Sequence, residues 1–425
     1  MSAARPPCCP ACHGTALEPL ATIERSPVMT GVLWPSRQEA LAAQRRPLEL
    51  SLCGHCGTAF NIAFEDGLVE YGGEYDNSLH FSPAFRSYAQ ALADRLIAAH
   101  QLAGCSVVEI GSGKGDFLRL LCRRAPCTGT GYDPTYVGPD HAADADVHFV
   151  VDLYGPRYSD LPADLVICRH VLEHMADPLA FLADIRNALG DRDASLYLEV
   201  PNGGFVLSEA GMWDFIYPHV SYFSPAGLRR VVTAAGFAVT DTGTSYGDQF
   251  LWIEARTASP VVPHARIGST ADKDSSGDTT RFVAQARAFG DMYRGMVQRA
   301  ATEIGGSSAG PARDAPCVLL WGAGSKGVTL LNVLDPGPAV RAVVDLNPRK
   351  RGLFIPGTGH RVLAPEDVPA QRVDRVLLPN PLYLDEVRDL LAQLGVRADV
   401  VPLGSRGPVP AQQLADAPEK DGVKS

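Results

Sequence analysis

The chain has 425 residues, 46% of them hydrophobic, and a formal net charge of −10. That apolar content is enough for two or three packed domains, and the acidic balance, with no long Lys/Arg block, excludes nucleic acid as an expected partner. The opening MSAARPPCCPACHG has no apolar signal core and no run approaches the roughly 18 apolar residues of a membrane helix, so no membrane partner is expected and the setting is read as cytoplasmic.

Residues 1–80 form the first block. Cys9-Pro-Ala-Cys12 and Cys53-Gly-His-Cys56 are two C-x-x-C pairs about 40 residues apart. A two-residue spacing lets both thiolates of a pair reach one ion, and two pairs complete a closed tetrahedral zinc site. Four thiolates leave no position for water or substrate, so the expected zinc is structural. Cys8 in place of Cys9, and His13 or His55 as a ligand, remain open alternatives.

From Pro83 a helical pattern, FRSYAQALADRLIAAH, leads into CSVVEIGSGKGDFLRLLC, and strands alternate with helices to the end of a block spanning 81–257. The pattern is α/β. Glu109 ends the first strand, Gly111, Gly113 and Gly115 follow, and a helix begins near Asp116. Glycines let a backbone approach a ligand, and the helix start offers free N–H groups. Asp133 ends the second strand, where an acid suits the hydroxyls of a ribose, and Asp152 follows the third. With a fourth strand in ADLVICRHVLEHMADP, the block resembles the class I S-adenosylmethionine-dependent methyltransferases. The resemblance implies a Rossmann-like core in which Glu109, the three glycines, Asp133, Asp152 and Arg169 hold S-adenosylmethionine. Plain NAD binding is the competing reading, and the E-x-G-x-G-x-G form and HVLEH segment argue against it.

Residues 258–315 read as a linker with a connecting helix over 281–303, and 316–403 as a second Rossmann-like domain for substrate. Its turn, LLWGAGSKGVTLL, places Gly322, Gly324 and Gly327 between strand and helix, with Asp345 ending the next strand. That is a dinucleotide fingerprint by pattern. Lys326 inside the turn and Asn347, Arg349, Lys350 and Arg351 after the acid instead suit a diphosphate, and a turn that only packs helix on strand is the third possibility. Residues 404–425 read as a disordered tail.

WDFIYPHVSYFS, residues 213–224, fits neither a strand period nor a helix period. Taken in order, the zinc pairs, the methyltransferase core and the second unit, GAGSKG…VVDLNPRKRGLFIPGTGHRV…PEDV, resemble the sugar C-methyltransferases that act on nucleotide-linked 4-keto-deoxysugars in antibiotic biosynthesis. In that family the counterpart of the aromatic segment reads Tyr-His-Glu-His, an apolar residue, then Ser-Tyr-Phe. The resemblance implies that His219 is the base forming an enolate, with Tyr217, Tyr222 or His174 donating to the enolate oxygen. It implies that Tyr71 and Tyr75, with Gly324, Lys326, Asp345 and Lys350, hold the substrate. Here Tyr217 and Pro218 stand where His and Glu are usual. A methyltransferase acting on oxygen, nitrogen or a non-sugar ketone is the second expectation, and a non-catalytic module binding S-adenosylmethionine or NAD the third.

Overall fold

A computed structural model describes residues 8–208, 211–258, 276–305 and 316–403. The expected tail and most of the expected linker lie outside these residues. Three sheets organise the chain. In the first, β1 (Leu17–Pro27), β2 (Arg45–Cys53) and β3 (Ala59–Asn61) form an antiparallel meander.

The second sheet has seven strands. β4 (Ser106–Ile110), β5 (Thr128–Tyr132), β6 (Val147–Val150), β7 (Leu165–Arg169) and β8 (Ser195–Pro201) are parallel neighbours in the order β8-β7-β4-β5-β6. The chain then leaves this sheet, and β9 (Ser221–Tyr222) pairs antiparallel with β3 of the first. β10 (Phe237–Ser245) and β11 (Phe250–Thr257) return as a hairpin, with β11 antiparallel to β8. Central strands such as β7, LVICR, are buried at every residue because helices cover both faces of a parallel sheet.

Helix Pro83–His100 illustrates how the sequence builds one of those covers. Ser82 caps it by accepting from the Phe85 amide, Pro83 occupies the first turn, and Phe85, Tyr88, Ala89, Leu92, Ala93 and Leu96 repeat at helical spacing on the buried face. The helix ends where Gln101 turns left-handed, with φ of 50°.

The third sheet is parallel, in the order β14-β13-β12-β15-β16, from β12 (Val318–Trp321), β13 (Val340–Val344), β14 (Val362–Leu363), β15 (Arg375–Leu378) and β16 (Asp399–Pro402). Helix Ser276–Gly305 bridges to it, longer at both ends than the apolar period alone predicts. Its buried Phe282, Ala286, Phe289 and Tyr293 share one apolar cluster with Leu48 and Leu50 of β2, Trp213 and Phe215, and Val318 and Leu320 of β12. Among the described residues, no helix is long and apolar enough to cross a membrane.

The aromatic segment is therefore chiefly packing. Trp213 donates its indole N–H to the Leu403 carbonyl at 3.2 Å, and the Phe215 ring lies 4.5 Å from Phe289. Its irregular period has a physical reason: successive side chains serve three different neighbours, so no single face repeats.

Candidate active site

Strand order in the central sheet reverses between β4 and β7, which opens a crevice at their carboxyl ends. The turn after β4 supplies one wall. Gly111, Gly113 and Gly115 have φ of 72°, 56° and 80°, a region that favours glycine. A Cβ at Gly111 would lie 2.1 Å from Val171, and one at Gly115 2.3 Å from Phe149. Gly113 has open space at the same place and donates its N–H to Asp133 at 2.6 Å. Asp133 also accepts from the Thr135 amide and hydroxyl, each at 2.6 Å. Glu109 is buried beneath the turn with one carboxyl oxygen unpartnered, and burial lifts its pKa from 4.5 to about 7, against the pull of Arg169.

Arg169 is buried to the same degree as Asp133. It donates to Glu199 at 2.9 Å and its guanidinium sits 4.4 Å from the Phe117 ring centre. Asp152 accepts from Tyr158 at 2.5 Å and from Arg157 at 2.6 Å, and the Tyr158 bond above all holds its carboxyl below the usual range.

The second wall is the turn after β7 together with residues 217–222. His174 and His219 meet edge to face, ring centres 4.8 Å apart. The Tyr71 hydroxyl lies 2.8 Å from His174 Nδ1, which is also 3.0 Å from the Pro218 carbonyl oxygen. Two arrangements satisfy these distances: with the proton on Nδ1 the Pro218 carbonyl and the phenol oxygen accept and the Tyr71 O–H is free, and with the proton on Nε2 the Tyr71 O–H donates to Nδ1. His219 Nδ1 is buried without a partner. Burial first, then His174, His170 and Lys326, press the His219 pKa well below its ordinary value, so the imidazole is neutral. His170, in a left-handed conformation with φ of 55°, behaves oppositely: burial opposes protonation, but Glu173 and Glu199 outweigh it and raise its pKa to about 9.

Two expected donors have their hydroxyls on backbone groups, although the Tyr222 ring lies 5.9 Å from His219. The Tyr217 hydroxyl accepts from the Glu65 amide at 2.9 Å and donates to the Ala63 carbonyl at 3.4 Å, which binds it to the amino-terminal block. The Tyr222 hydroxyl is closed on the backbone of Ile216, at 3.2 Å from N and 3.3 Å from O. Both phenols are satisfied by peptide groups in this structure. Tyr71, expected only as a substrate contact, takes the place beside the imidazoles.

Residues 71–78 roof the crevice. The Tyr71 and Tyr75 rings meet edge to face at 5.1 Å, and Tyr75 packs so tightly on Gly31 that a Cβ there would be 2.3 Å away. Lys114 of the glycine turn donates to the Gly73 carbonyl at 3.2 Å, Ser78 donates to Asp116 at 2.9 Å, and Asp76 accepts from Arg349 at 2.6 Å and from Asn347 at 2.9 Å. One loop thus ties the first glycine turn to the third sheet.

The second glycine turn is occupied by its own side chains. Asp345 accepts from the Ala323 amide at 2.7 Å and lies 3.5 Å from the buried Lys350 ammonium, which donates to the Ala323 carbonyl at 3.2 Å. Lys326 pairs with Asp214, and Gly324 is 4.0 Å, measured from a built Cβ, from the Asn77 side chain. His170, Glu173 and Asp76 were not singled out in the sequence. The only signal for the first two is the spacing H-x-x-E-H, which puts three polar side chains on successive positions of one turn.

The cysteines converge as expected. Cys9 and Cys56 sulfurs are 3.6 Å apart, as are those of Cys12 and Cys53, and all four lie within 4.8 Å of one another. Tetrahedral Zn–S bonds of about 2.3 Å require edges of about 3.8 Å, so the donor set fits one ion. All ten cysteines are free thiols.

Residues 82–242 match a family model described as a methyltransferase domain, and residues 295–397 one described as a C-methyltransferase C-terminal domain. No curated protein matches the chain. Among solved structures, magnesium protoporphyrin IX methyltransferase from Synechocystis PCC 6803, with bound S-adenosylhomocysteine, is 22% identical over 41% of this chain and 84% of its own, with a TM-score of 0.33. The 1,6-didemethyltoxoflavin-N1-methyltransferase of Burkholderia thailandensis, with 1,6-didemethyltoxoflavin and S-adenosylhomocysteine, is 18% identical over 40% of this chain and 79% of its own, at 0.30. The parallel core thus lies in a methyltransferase domain, and most of the third sheet in a C-methyltransferase C-terminal domain.

Proposed function

We propose that the chain methylates carbon in a small keto substrate, a nucleotide-linked keto-deoxysugar, through an enolate. The observation that carries this reading is His219: a neutral imidazole with a buried, unpartnered Nδ1, set against His174 and Tyr71. Making a carbanion equivalent requires removing a proton beside a carbonyl, and a neutral imidazole at hydrogen-bond reach is suited to it. His219 takes that proton, and the O–H of Tyr71, free when His174 carries its proton on Nδ1, donates to the oxygen on which charge develops. S-adenosylmethionine, when bound, supplies an electrophilic methyl group. The amides of the Gly111–Gly115 turn and the Asp133 carboxylate are the groups placed to hold it, while the 71–78 loop excludes water and orients the acceptor. The four cysteines hold a structural zinc, and the purified chain is expected to carry it on Cys9, Cys12, Cys53 and Cys56.

The test is a panel of nucleotide-linked ketosugars, read by mass spectrometry for the gain of one methyl group. His219→Ala should keep the fold and S-adenosylmethionine affinity and lose methylation by roughly two to four orders of magnitude. Activity of this variant within about threefold of wild type, with chemistry rate-limiting, moves the base elsewhere.

A second reading, transfer to oxygen, nitrogen or a non-sugar ketone, is favoured by one observation: Asp345 and Lys350 satisfy each other, leaving fewer groups for a diphosphate. Exchange of the substrate's α-proton with deuterated solvent in the absence of methyl donor separates carbon transfer from transfer to oxygen or nitrogen, because only the enolate route requires it, and the substrate panel separates sugar from non-sugar ketones.

A further inference from the structure

Cys122 and Cys127 belong neither to the crevice nor to the four-cysteine cluster, yet their sulfurs are 3.4 Å apart. Cys122 lies in the last turn of helix Asp116–Arg124, which begins at the first glycine turn, and Cys127 stands immediately before β5. Both thiols are free and buried, at 8% and 4% exposure. Arg123, Arg124 and Pro126 are exposed, so each thiol is next in sequence to a residue at the surface. The pair also sits where a helix ends, and helix ends are among the places where local opening costs least.

A thiol held against a second thiol is the arrangement in which an oxidised sulfur is captured before it oxidises further. One thiolate attacks hydrogen peroxide: an S–O bond forms, the O–O bond breaks, and the released hydroxide takes a proton and leaves as water. The second sulfur then attacks the sulfenic acid: the S–S bond forms, the S–O bond breaks, and a second water carries off the remaining proton. The two sulfurs give up two electrons in all, both to peroxide oxygen. An S–S bond is about 2.05 Å long, so the sulfurs must close by about 1.35 Å. The packing has no slack for that approach, because a Cβ built at Gly129 of β5 would lie 2.9 Å from the Cys122 sulfur and 3.0 Å from Leu118. Helix rests on strand without room for a methyl group, so the last turn of the helix has to move. The same helix and strand meet again at the other end, where Gly113 donates to Asp133, the residue after β5.

We propose that Cys122 and Cys127 are a reversible oxidation site, at which hydrogen peroxide joins the helix to β5 and weakens the hold of the first glycine turn on S-adenosylmethionine. The weakening rests on the reading that this turn holds S-adenosylmethionine; formation of the bond does not. Neither half depends on the identity of the acceptor or on which residue is the base.

The experiment treats the full, zinc-loaded chain with a few equivalents of hydrogen peroxide, blocks the remaining thiols with N-ethylmaleimide in denaturant, and digests with trypsin. Trypsin cuts after Arg123 and Arg124, between the two cysteines, so the bond is read directly on the wild type. A linked peptide pair is expected, two hydrogens lighter than its separated parts and released by dithiothreitol. Cys105→Ser should leave that pair unchanged. Calorimetry on the oxidised chain should show S-adenosylmethionine affinity weaker by about fivefold or more, restored by dithiothreitol, and Cys127→Ser should make the affinity indifferent to peroxide. Maleimide on both Cys122 and Cys127 after peroxide, or a link from either to Cys105, overturns the site. A linked pair with unchanged affinity overturns the coupling to the turn. A linked pair in a chain that binds S-adenosylmethionine in neither form supports the site and overturns the reading of the turn.

Discussion

The two glycine turns share a sequence grammar and differ in what answers their acid. At the first, Asp133 is met by amide and hydroxyl donors only, and all three glycines are left-handed. At the second, Asp345 is met by the amides of Ala323 and Asn347 and by a buried ammonium, Lys350; Gly322 alone is left-handed while Gly324 is extended. The first turn, with no ammonium bonded to its acid and open space at Gly113, is the one we propose for a ligand with hydroxyl groups. A turn whose acid is neutralised from within holds itself together first. Strand, glycines, helix and distal acid are therefore insufficient to identify a nucleotide site; the neighbours of the acid decide.

The largest effect that sharpens this contrast is expected at Gly327, where a Cβ would lie 1.9 Å from the Gly322 carbonyl oxygen. Gly327→Ala should destabilise the third sheet by about 3 kcal/mol or more, seen in denaturant unfolding, with S-adenosylmethionine affinity little changed. Next, Asp133→Ala should weaken S-adenosylmethionine binding by about a hundredfold, the worth of one or two charge-assisted hydrogen bonds. Asp345→Ala should leave that affinity within about twofold; equal losses in calorimetry would erase the distinction between the turns.

A smaller effect concerns the carboxyl under the first turn. Because burial raises the Glu109 pKa to about 7 from 4.5, its favourable contribution is complete below pH 4.5 and is lost as pH rises through 7. Glu109→Gln removes the ionising group. It should match the wild type near about pH 4 and exceed it by about 3 kcal/mol at about pH 8, measured on ligand-free protein. Smallest of all, Tyr217→Phe should cost about 1 kcal/mol of stability and leave methylation within about threefold, since its hydroxyl serves the backbone at residues 63 and 65.

Where periodicity and turn residues act locally, the fold was legible. Ser82-Pro83 starts a helix, β4 and β7 read as continuous apolar runs, and the C-x-x-C spacing brings four sulfurs together. The site was legible in part. His174 and His219 stand together, but the backbone partners of the phenols at 217 and 222 were not legible, because a tyrosine hydroxyl chooses its partner from tertiary neighbours far away in the chain or from a turn too irregular to forecast. Glu173 was passed over for a similar reason. A glutamate after an apolar pair reads as solvated, and only the cover from Tyr71 and from residues 218–220 makes it buried.

β9 has a consequence for how the protein is made. The amino-terminal sheet lacks its fourth strand until residue 222 has left the ribosome, so β3 has an unpaired edge while the whole parallel core is being synthesised. Capture of β3 by Ser221 and Tyr222 is also the event that sets His219 beside His174. A chain arrested before residue 222 would offer the edge of β3, whose neighbouring strand carries Cys53, to chaperones.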